Sequence, residues 1–232
     1  MDILGVRIDN LGKKEILEKV SDFLNEYRFR QIATINPEII LAAQKDEEFK
    51  KILNNCDLNI ADGAGVKFAF WRFGKRLKCR ITGIDLMLEI LKIANEKRLK
   101  IFLAANSDGL SAWEETRDAI LNKYPSLRIE GENINIDYVI SHQSSVIIDS
   151  NIIFCNFGAP YQEKFLNSAK GDKIRLTIGV GSGFDYLTGK LKRAPKWMRF
   201  FGFEWFWRLI LQPKRIKRIF RAVIIFPIKI IF

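Results

Sequence analysis

The chain has 232 residues, 48% of them hydrophobic and 28% charged, which is typical of a folded globular protein and argues against disorder. Three cysteines stand far apart with no CxxC spacing, and the N-terminus shows no signal peptide, so we expect a cytosolic chain with buried thiols. The single histidine, His142, is expected to be a surface or structural residue. With one histidine in the chain, Ser–His–Asp catalysis, Cys–His catalysis and a histidine-ligated metal site are all disfavoured.

The net charge of +11 is confined to the C-terminal tail, residues 190–232. That segment carries twelve basic side chains and one acidic side chain, Glu204, whereas the preceding 189 residues are neutral. A charge asymmetry of this kind indicates an anionic partner for the tail.

Helical and strand patterns alternate along the rest of the chain. We predict helices at residues 13–27, 37–54 (in one piece or two), 65–73, 84–97, from the capping turn 106–109 to 124, 137–144 and 162–169. Strands are predicted at residues 30–35, 58–61, 99–105, 127–130, 152–156 and 173–180. This alternation predicts a Rossmann-like α/β fold, a mostly parallel sheet with helices on both faces, followed by a basic, helical C-terminal appendage. We place the catalytic domain at 1–194 and the appendage at 195–232.

Four polar segments follow predicted strands: 34–36, 62–63, 158–162 and 179–185. Ligands of such sheets bind beyond the carboxyl ends of the strands, so the segments are expected to converge on one site.

Asp62 follows an apolar strand and precedes Gly63 and Gly65, which allow a tight turn and close approach of a ligand. Its carboxylate suits a general base, and the alternative is an N-cap for the next helix. Arg80 suits a phosphate ligand, or is simply solvated. Gln162 lies in a Gly/Pro turn at a helix start, where it suits sugar hydroxyls or only shapes the turn.

The segment 179–183 (GVGSG) matches a dinucleotide-binding turn only in part, because the last glycine is misplaced. Asp185, just after it, is expected to hold a ribose hydroxyl or to cap a turn. The sequence contains no D-x-D pair of the kind that binds a nucleotide-sugar metal. If the protein is a sugar transferase, cations and backbone amides must therefore stabilise the leaving diphosphate.

The tail combines its positive charge with ten of the chain's 28 aromatic residues. Pro213 is predicted to separate two helical pieces, with Ile216, Ile219, Phe220 and Val223 on one face of the second. Such a helix suits an anionic membrane surface. Residues 222–232 are too few to cross a bilayer, which requires a helix of ~20 apolar residues. The alternatives are a core-packing helix, self-association into a homo-oligomer, or nucleic-acid binding, which the neutral body disfavours.

Six motifs, in order, resemble those of the WecG/TagA/CpsF glycosyltransferase family over residues 1–221. They are 34–38 (TINPE), 61–66 (ADGAGV), 80–87 (RITGIDLM), 158–163 (GAPYQE), 179–185 (GVGSGFD) and 192–198 (KRAPKWM) continuing to 202–205 (GFEW). The chain departs from the usual family residues at Tyr161, at Ser182 with Gly183, and at Thr188.

The resemblance implies an inverting, metal-independent transfer of N-acetylmannosamine or a related sugar from a UDP donor to a polyprenyl-diphosphate-linked acceptor. It implies no cofactor and no nucleic-acid partner, a role in bacterial cell-surface polymer or teichoic acid synthesis, and a peripheral location on the cytoplasmic face of the membrane. Asp62 is then the expected base. The residues expected to bind substrate are Thr34, Asn36, Arg80, Gln162 and Asp185, with Arg208, Arg215, Arg218 and Arg221 as tail candidates for the diphosphate.

Two other hypotheses remain open from the sequence. One is a non-catalytic module that binds membrane or nucleic acid, in which Asp62 is dispensable. The other is an oxidoreductase that binds NAD(P) at the 179–183 turn, which a comparison of NAD(P) with UDP binding separates.

Overall fold

A computed structural model describes residues 1–137 and 148–232 of the chain. The helix predicted over residues 137–144, apart from its first residue, and His142 lie outside this range. Cys56 and Cys155 are buried and Cys79 is half-buried, so the expectation of buried thiols is confirmed for two of the three.

The core of the fold is one sheet of six parallel strands. The strands are β3 (Gln31–Ile35), β4 (Leu58–Ala61), β5 (Lys100–Asn106), β6 (Arg128–Ile134), β7 (Ile152–Cys155) and β8 (Leu176–Gly179). They lie in the order β4-β3-β8-β7-β5-β6, and every neighbouring pair is parallel. All residues of β3, β4, β7 and β8 are buried, as expected for strands covered on both faces. The predicted α/β fold is confirmed.

Helices connect the strands and cover both faces of the sheet. They are α1 (Lys13–Asn25), α2 (Pro37–Ala43), α3 (Glu47–Asn55), α4 (Ala64–Arg72), α5 (Gly83–Lys97), α6 (Trp113–Leu121), α7 (Tyr161–Ser168) and α8 (Gly183–Leu187). The predicted helix over 37–54 is two helices, because the side chain of Asp46 accepts a hydrogen bond from the Phe49 N–H and starts α3. Thr82 caps α5 in the same way through the Asp85 N–H.

Several local features of the structure differ from the predictions. Residues 2–7 form a small antiparallel hairpin, β1 (Asp2–Ile3) and β2 (Val6–Arg7), which no sequence pattern predicted. The turn 106–109 does not cap α6; Glu115 instead accepts a hydrogen bond from the Ala112 N–H, so α6 starts at Trp113. The last strand starts at Leu176 rather than 173, because a turn closed between Gly171 and Ile174 precedes it.

The tail is helical for most of its length. It consists of α9 (Lys196–Phe201), α10 (Glu204–Leu211), a 3₁₀ turn (Pro213–Arg215), α11 (Ile216–Phe220), a π-helical turn (Arg221–Ile225) and α12 (Phe226–Ile231). The predicted division at Pro213 is confirmed, since the proline opens the 3₁₀ turn after α10. No helix among the described residues has both the length and the apolar character needed to cross a membrane.

The apolar side chains of the second half of the tail divide between two faces. Ile219, Phe226 and Ile230 are buried, and the last two belong to a core cluster with Val66 and Phe70 of α4. A second set, spaced by three or four residues, is exposed. Its members are Ile216, Phe220, Ile224, Ile228 and Ile231. The prediction that Ile219 shares one face with Ile216 and Phe220 is therefore wrong, because the helix buries Ile219 and leaves the other two exposed.

Candidate active site

The site lies at the carboxyl ends of four adjacent strands, β4, β3, β8 and β7. Backbone hydrogen bonds join the segments that leave these strands: the Asp62 N–H donates to Ile35 O at 2.7 Å, and the Val180 N–H donates to Cys155 O at 2.8 Å. The expected convergence of the four polar segments is confirmed, and its cause is the strand order.

Asp62 is partly buried at the end of β4. The next residue, Gly63, has a φ of 84°, which only glycine adopts without strain, and it is Gly63 that occupies the N-cap position of α4. The alternative role of Asp62 as a cap is therefore wrong. Burial raises the pKa of Asp62 to about 7, the nearby Arg208 and Arg80 oppose the rise, and Glu204 adds to it. A carboxyl group with this pKa can exchange a proton near neutral pH.

Two residues of α10, Arg208 and Glu204, place one positive and one negative charge near Asp62. Arg208 donates to Glu204 at 3.4 Å, and its guanidinium carbon lies 5.7 Å from the ring centre of Tyr186. Burial alone would lower the pKa of Arg208, but Tyr186, Glu204 and Asp62 outweigh it and raise the pKa. Sequence reasoning named Arg208 as a tail candidate but missed Glu204 and Tyr186. The sequence did offer one signal for Glu204. It is the one acidic residue of the tail, and it lies in the 202–205 (GFEW) motif.

Arg215 reaches the same edge of the sheet from the 3₁₀ turn. Its guanidinium lies 3.5 Å from the Ser182 hydroxyl. Burial lowers the pKa of Arg215, and so does repulsion by Arg218 and Arg208. Three guanidinium groups of like charge thus lie close together, an arrangement that a bound anion would stabilise.

The other two tail candidates are placed differently. Arg218 forms an ion pair with Glu38, at 2.6 Å, at the rim of the site. Arg221 is exposed on the π-helical turn. Of the predicted tail arginines, Arg208 lies beside Asp62, Arg215 lies beside Ser182, and Arg218 is partly neutralised.

Asn36 and Thr34 belong to the neighbouring strand β3. The Asn36 side chain accepts a hydrogen bond from the Ile39 N–H at 3.0 Å and caps α2, so its oxygen is already in use. Thr34 is only 6% exposed within the strand. Their binding roles remain predictions.

Gln162 joins two loops of the site. Its side-chain oxygen accepts hydrogen bonds from the N–H groups of Gly158, at 3.1 Å, and Gly181, at 3.3 Å. Its amide nitrogen donates to Glu163 at 2.7 Å. A Cβ on Gly179 would lie 2.3 Å from that nitrogen, so the close approach requires glycine. In this arrangement Gln162 shapes the two loops, and its predicted contact with sugar hydroxyls remains a prediction.

Asp185 follows the 179–183 turn, within α8, and its side chain is buried, with 8% exposure. It accepts a hydrogen bond from Ser111 at 2.9 Å, and Ser111 also contacts Thr188 at 2.8 Å. Burial raises the pKa of Asp185, while Ser111 and the nearby Arg215 oppose the rise. The side chain thus ties the loop after β5 to α8, beside the arginine cluster.

Arg80 lines a cavity of about 290 Å³ between the body and the tail. One of its nitrogens donates to the Arg199 carbonyl, at the end of α9, at 2.7 Å. The cavity is lined by Arg80, Thr82, Asp85, Arg193, Lys196, Arg199, Phe200 and Glu204. Arg80 therefore both holds the tail and presents positive charge close to Asp62.

A second cavity, of about 520 Å³, lies at the opposite edge of the sheet, where Lys100 opens β5. Lys100 and Lys173 there are engaged with Glu130 and Asp149 in ion pairs. The described part of the chain holds no group of three Cys, His, Asp or Glu residues able to bind a metal ion.

Comparison with known proteins supports the motif resemblance. A family model described as "Glycosyl transferase WecG/TagA/CpsF family" matches residues 1–232. The chain is similar to the N-acetylglucosaminyldiphosphoundecaprenol N-acetyl-beta-D-mannosaminyltransferase of Bacillus subtilis (strain 168), at 34% identity over 91% of this chain and 80% of that protein. Proteins of the same name from Staphylococcus aureus, strains MRSA252 and NCTC 8325 / PS 47, are 30% identical over 99% of this chain and 91% of theirs.

Proposed function

Because this chain belongs to the WecG/TagA/CpsF glycosyltransferase family and is therefore a hexosyltransferase, we propose that it moves N-acetylmannosamine, or a related sugar, from a UDP donor to a polyprenyl-diphosphate-linked N-acetylglucosamine. The proposed transfer inverts the anomeric centre and needs no metal. The acceptor and the sugar are taken from the names of the relatives, and UDP from the family resemblance.

The observation that carries the proposal is that Asp62, at the carboxyl end of β4, lies beside the guanidinium group of Arg208. With a pKa of about 7, the Asp62 carboxylate is available near neutral pH as a base. It takes the proton of the acceptor hydroxyl while that oxygen forms a bond to the anomeric carbon of the donor. The bond from that carbon to the UDP oxygen breaks, and UDP leaves with the electron pair. Attack opposite the leaving group gives inversion.

The leaving diphosphate requires positive charge, and the tail supplies it. Arg208 and Arg215 lie at the same edge as Asp62, and repulsion between their guanidinium groups makes an anion there favourable. Since the sequence has no D-x-D pair, we assign the stabilisation of UDP to these side chains.

We further propose that the protein is peripheral on the cytoplasmic face of a bacterial membrane, where a lipid-linked acceptor is found. The support is the exposed apolar row of the tail together with its cations. Sedimentation with phosphatidylglycerol vesicles tests this, and failure to bind them at low salt would contradict it.

Membership of an enzyme family makes the hypothesis of a non-catalytic binding module wrong. It also favours a sugar transferase over an NAD(P)-dependent oxidoreductase. In the structure, the 179–183 turn is tied to Gln162 through the Gly181 N–H.

The decisive experiment measures UDP release with a panel of UDP-sugars and a short-chain lipid-diphosphate-N-acetylglucosamine acceptor, with EDTA present. We expect acceptor-dependent release with UDP-N-acetylmannosamine or a related donor. Strict dependence on added Mg²⁺ would refute metal independence, and release without any acceptor product would refute the transfer.

A further inference from the structure

We propose that the cavity between the body and α9 binds the diphosphate of the lipid-linked acceptor, separately from the donor diphosphate at Arg208 and Arg215. The inference rests on the proposed function, which requires two different diphosphate groups in one reaction. It assigns a role to the side chains of Lys196 and Arg199, which the proposed mechanism around Asp62 does not use.

The cavity is lined by four cations and two carboxylates, and not all of the positive charge is neutralised internally. Arg193 forms two hydrogen bonds with Asp85, at 2.8 and 2.6 Å, so that pair is balanced. Glu204 is paired with Arg208. Within residues 1–137 and 148–232, Arg80, Lys196 and Arg199 have no ion-pair partner and remain as the cations that face the cavity, which suits a ligand with two or more negative charges.

The position of the cavity fits an acceptor rather than a donor. Arg80 and Glu204 line the cavity and also lie close enough to Asp62 to affect its ionisation. An acceptor sugar placed between Asp62 and the cavity would present a hydroxyl to the base and its diphosphate to Lys196 and Arg199. The donor diphosphate would then lie at Arg215 and Ser182, neither of which lines the cavity.

The helix that borders the cavity carries exposed aromatic side chains. Phe200, which lines the cavity, is 82% exposed, and Trp197 and Phe201 of the same helix, α9, are 59% and 66% exposed. Aromatic side chains favour the interface between headgroups and hydrocarbon, and that is where the diphosphate of a membrane-bound polyprenyl chain is located. The basic lining and the exposed aromatic side chains of α9 together fit a lipid diphosphate better than a free nucleotide.

The test compares kinetics of the full-length protein and a Lys196→Ala/Arg199→Ala variant in solution without vesicles, using a water-soluble short-chain acceptor. We expect the KM for the acceptor to rise by about tenfold or more, and the KM for the UDP-sugar to stay within about twofold. A Lys214→Ala/Lys217→Ala variant removes the same charge from exposed tail positions and should change neither constant.

Binding of UDP, followed by thermal shift, checks that the variant is folded. An unchanged acceptor KM, or a rise in the UDP-sugar KM instead, would overturn the assignment of this cavity to the acceptor. The proposed function fails separately, if the unsubstituted protein transfers no sugar to any lipid-diphosphate acceptor.

Discussion

The guanidinium of Arg193 donates to both carboxylate oxygens of Asp85, at 2.8 and 2.6 Å, and so fixes the start of the tail to the N-terminal turn of α5. A third hydrogen bond runs from Arg193 to Thr82 at 3.2 Å. Burial opposes ionisation of Asp85, but the hydrogen bonds from Arg193 and Thr82 outweigh it and lower the pKa of Asp85. A bidentate pair fixes direction as well as distance, so the angle at which the tail leaves the body depends on it.

Asp85→Asn removes the charge of this pair while keeping the shape of the side chain. We expect a loss of about 1 kcal/mol in the free energy of unfolding, because the pair is partly exposed, and faster trypsin cleavage within the tail. Denaturant unfolding and timed proteolysis measure both effects. Glu18→Gln, which breaks the exposed Lys14–Glu18 ion pair within α1, is the matched control and should leave tail cleavage unchanged.

Asp62→Asn tests the proposed base directly. We expect turnover to fall by roughly 10²–10⁴-fold, because the amide cannot accept the hydroxyl proton, while UDP binding persists. The measurement is steady-state UDP release beside a UDP thermal shift. Asp118→Asn, on the exposed face of α6, serves as the control. Turnover within about threefold of the unsubstituted protein would remove Asp62 from the mechanism.

The pKa of Asp62 predicts opposite pH trends for activity and stability. Its value is raised from 3.8 to about 7 in the folded protein without substrate, so kcat/KM should fall as the pH drops below about 7 and the base becomes protonated. The folded state retains that proton where the unfolded chain has lost it, so this group makes stability decline as the pH rises from about 4 to 7. Asp62→Asn should abolish its share of this decline. A pH-rate profile and unfolding curves at pH 5 and 8 test both statements.

Arg215→Gln relieves repulsion from Arg208 and Arg218. We expect a variant that is equally stable or more stable without ligand, since burial and like charges already lower the pKa of Arg215. It should gain less thermal stability from UDP and show a higher KM for the UDP-sugar, by about tenfold. Lys217→Gln is the control for loss of a tail charge. An undiminished UDP shift in Arg215→Gln would place the donor diphosphate elsewhere.

Glu163→Gln tests the buried acid beneath the loops. Glu163 is 1% exposed, one of its oxygens has no hydrogen-bond partner among the described residues, and burial raises its pKa to about 7. Ionisation in the folded state is unfavourable, so this group also makes stability decline between about pH 4.5 and 7. The amide should be more stable than the acid at pH 8 and similar at pH 5. Because its oxygen can still accept from Gln162, activity should be largely retained; a large loss would show that the charge itself is needed.

Much of the architecture was predictable because its causes are local. Apolar runs and helical spacing identified the six strands and most helices, and their alternation requires a parallel sheet. Asp46, in contrast, divides one predicted helix in two because its side chain caps α3. The N-terminal hairpin was missed, because its strands of two residues are too short to show a period.

The site was only partly predictable from the sequence, because many of its contacts are not local. The sequence by itself determined that polar segments end the strands, that Asp62 follows β4 and that all of the net charge lies in residues 190–232. Only the tertiary structure decided which charges meet: Arg208 and Glu204 beside Asp62, and Ile219 against the body rather than outward. Periodicity reports which face of an element is apolar, but contacts between residues more than a hundred positions apart depend on how the whole chain packs.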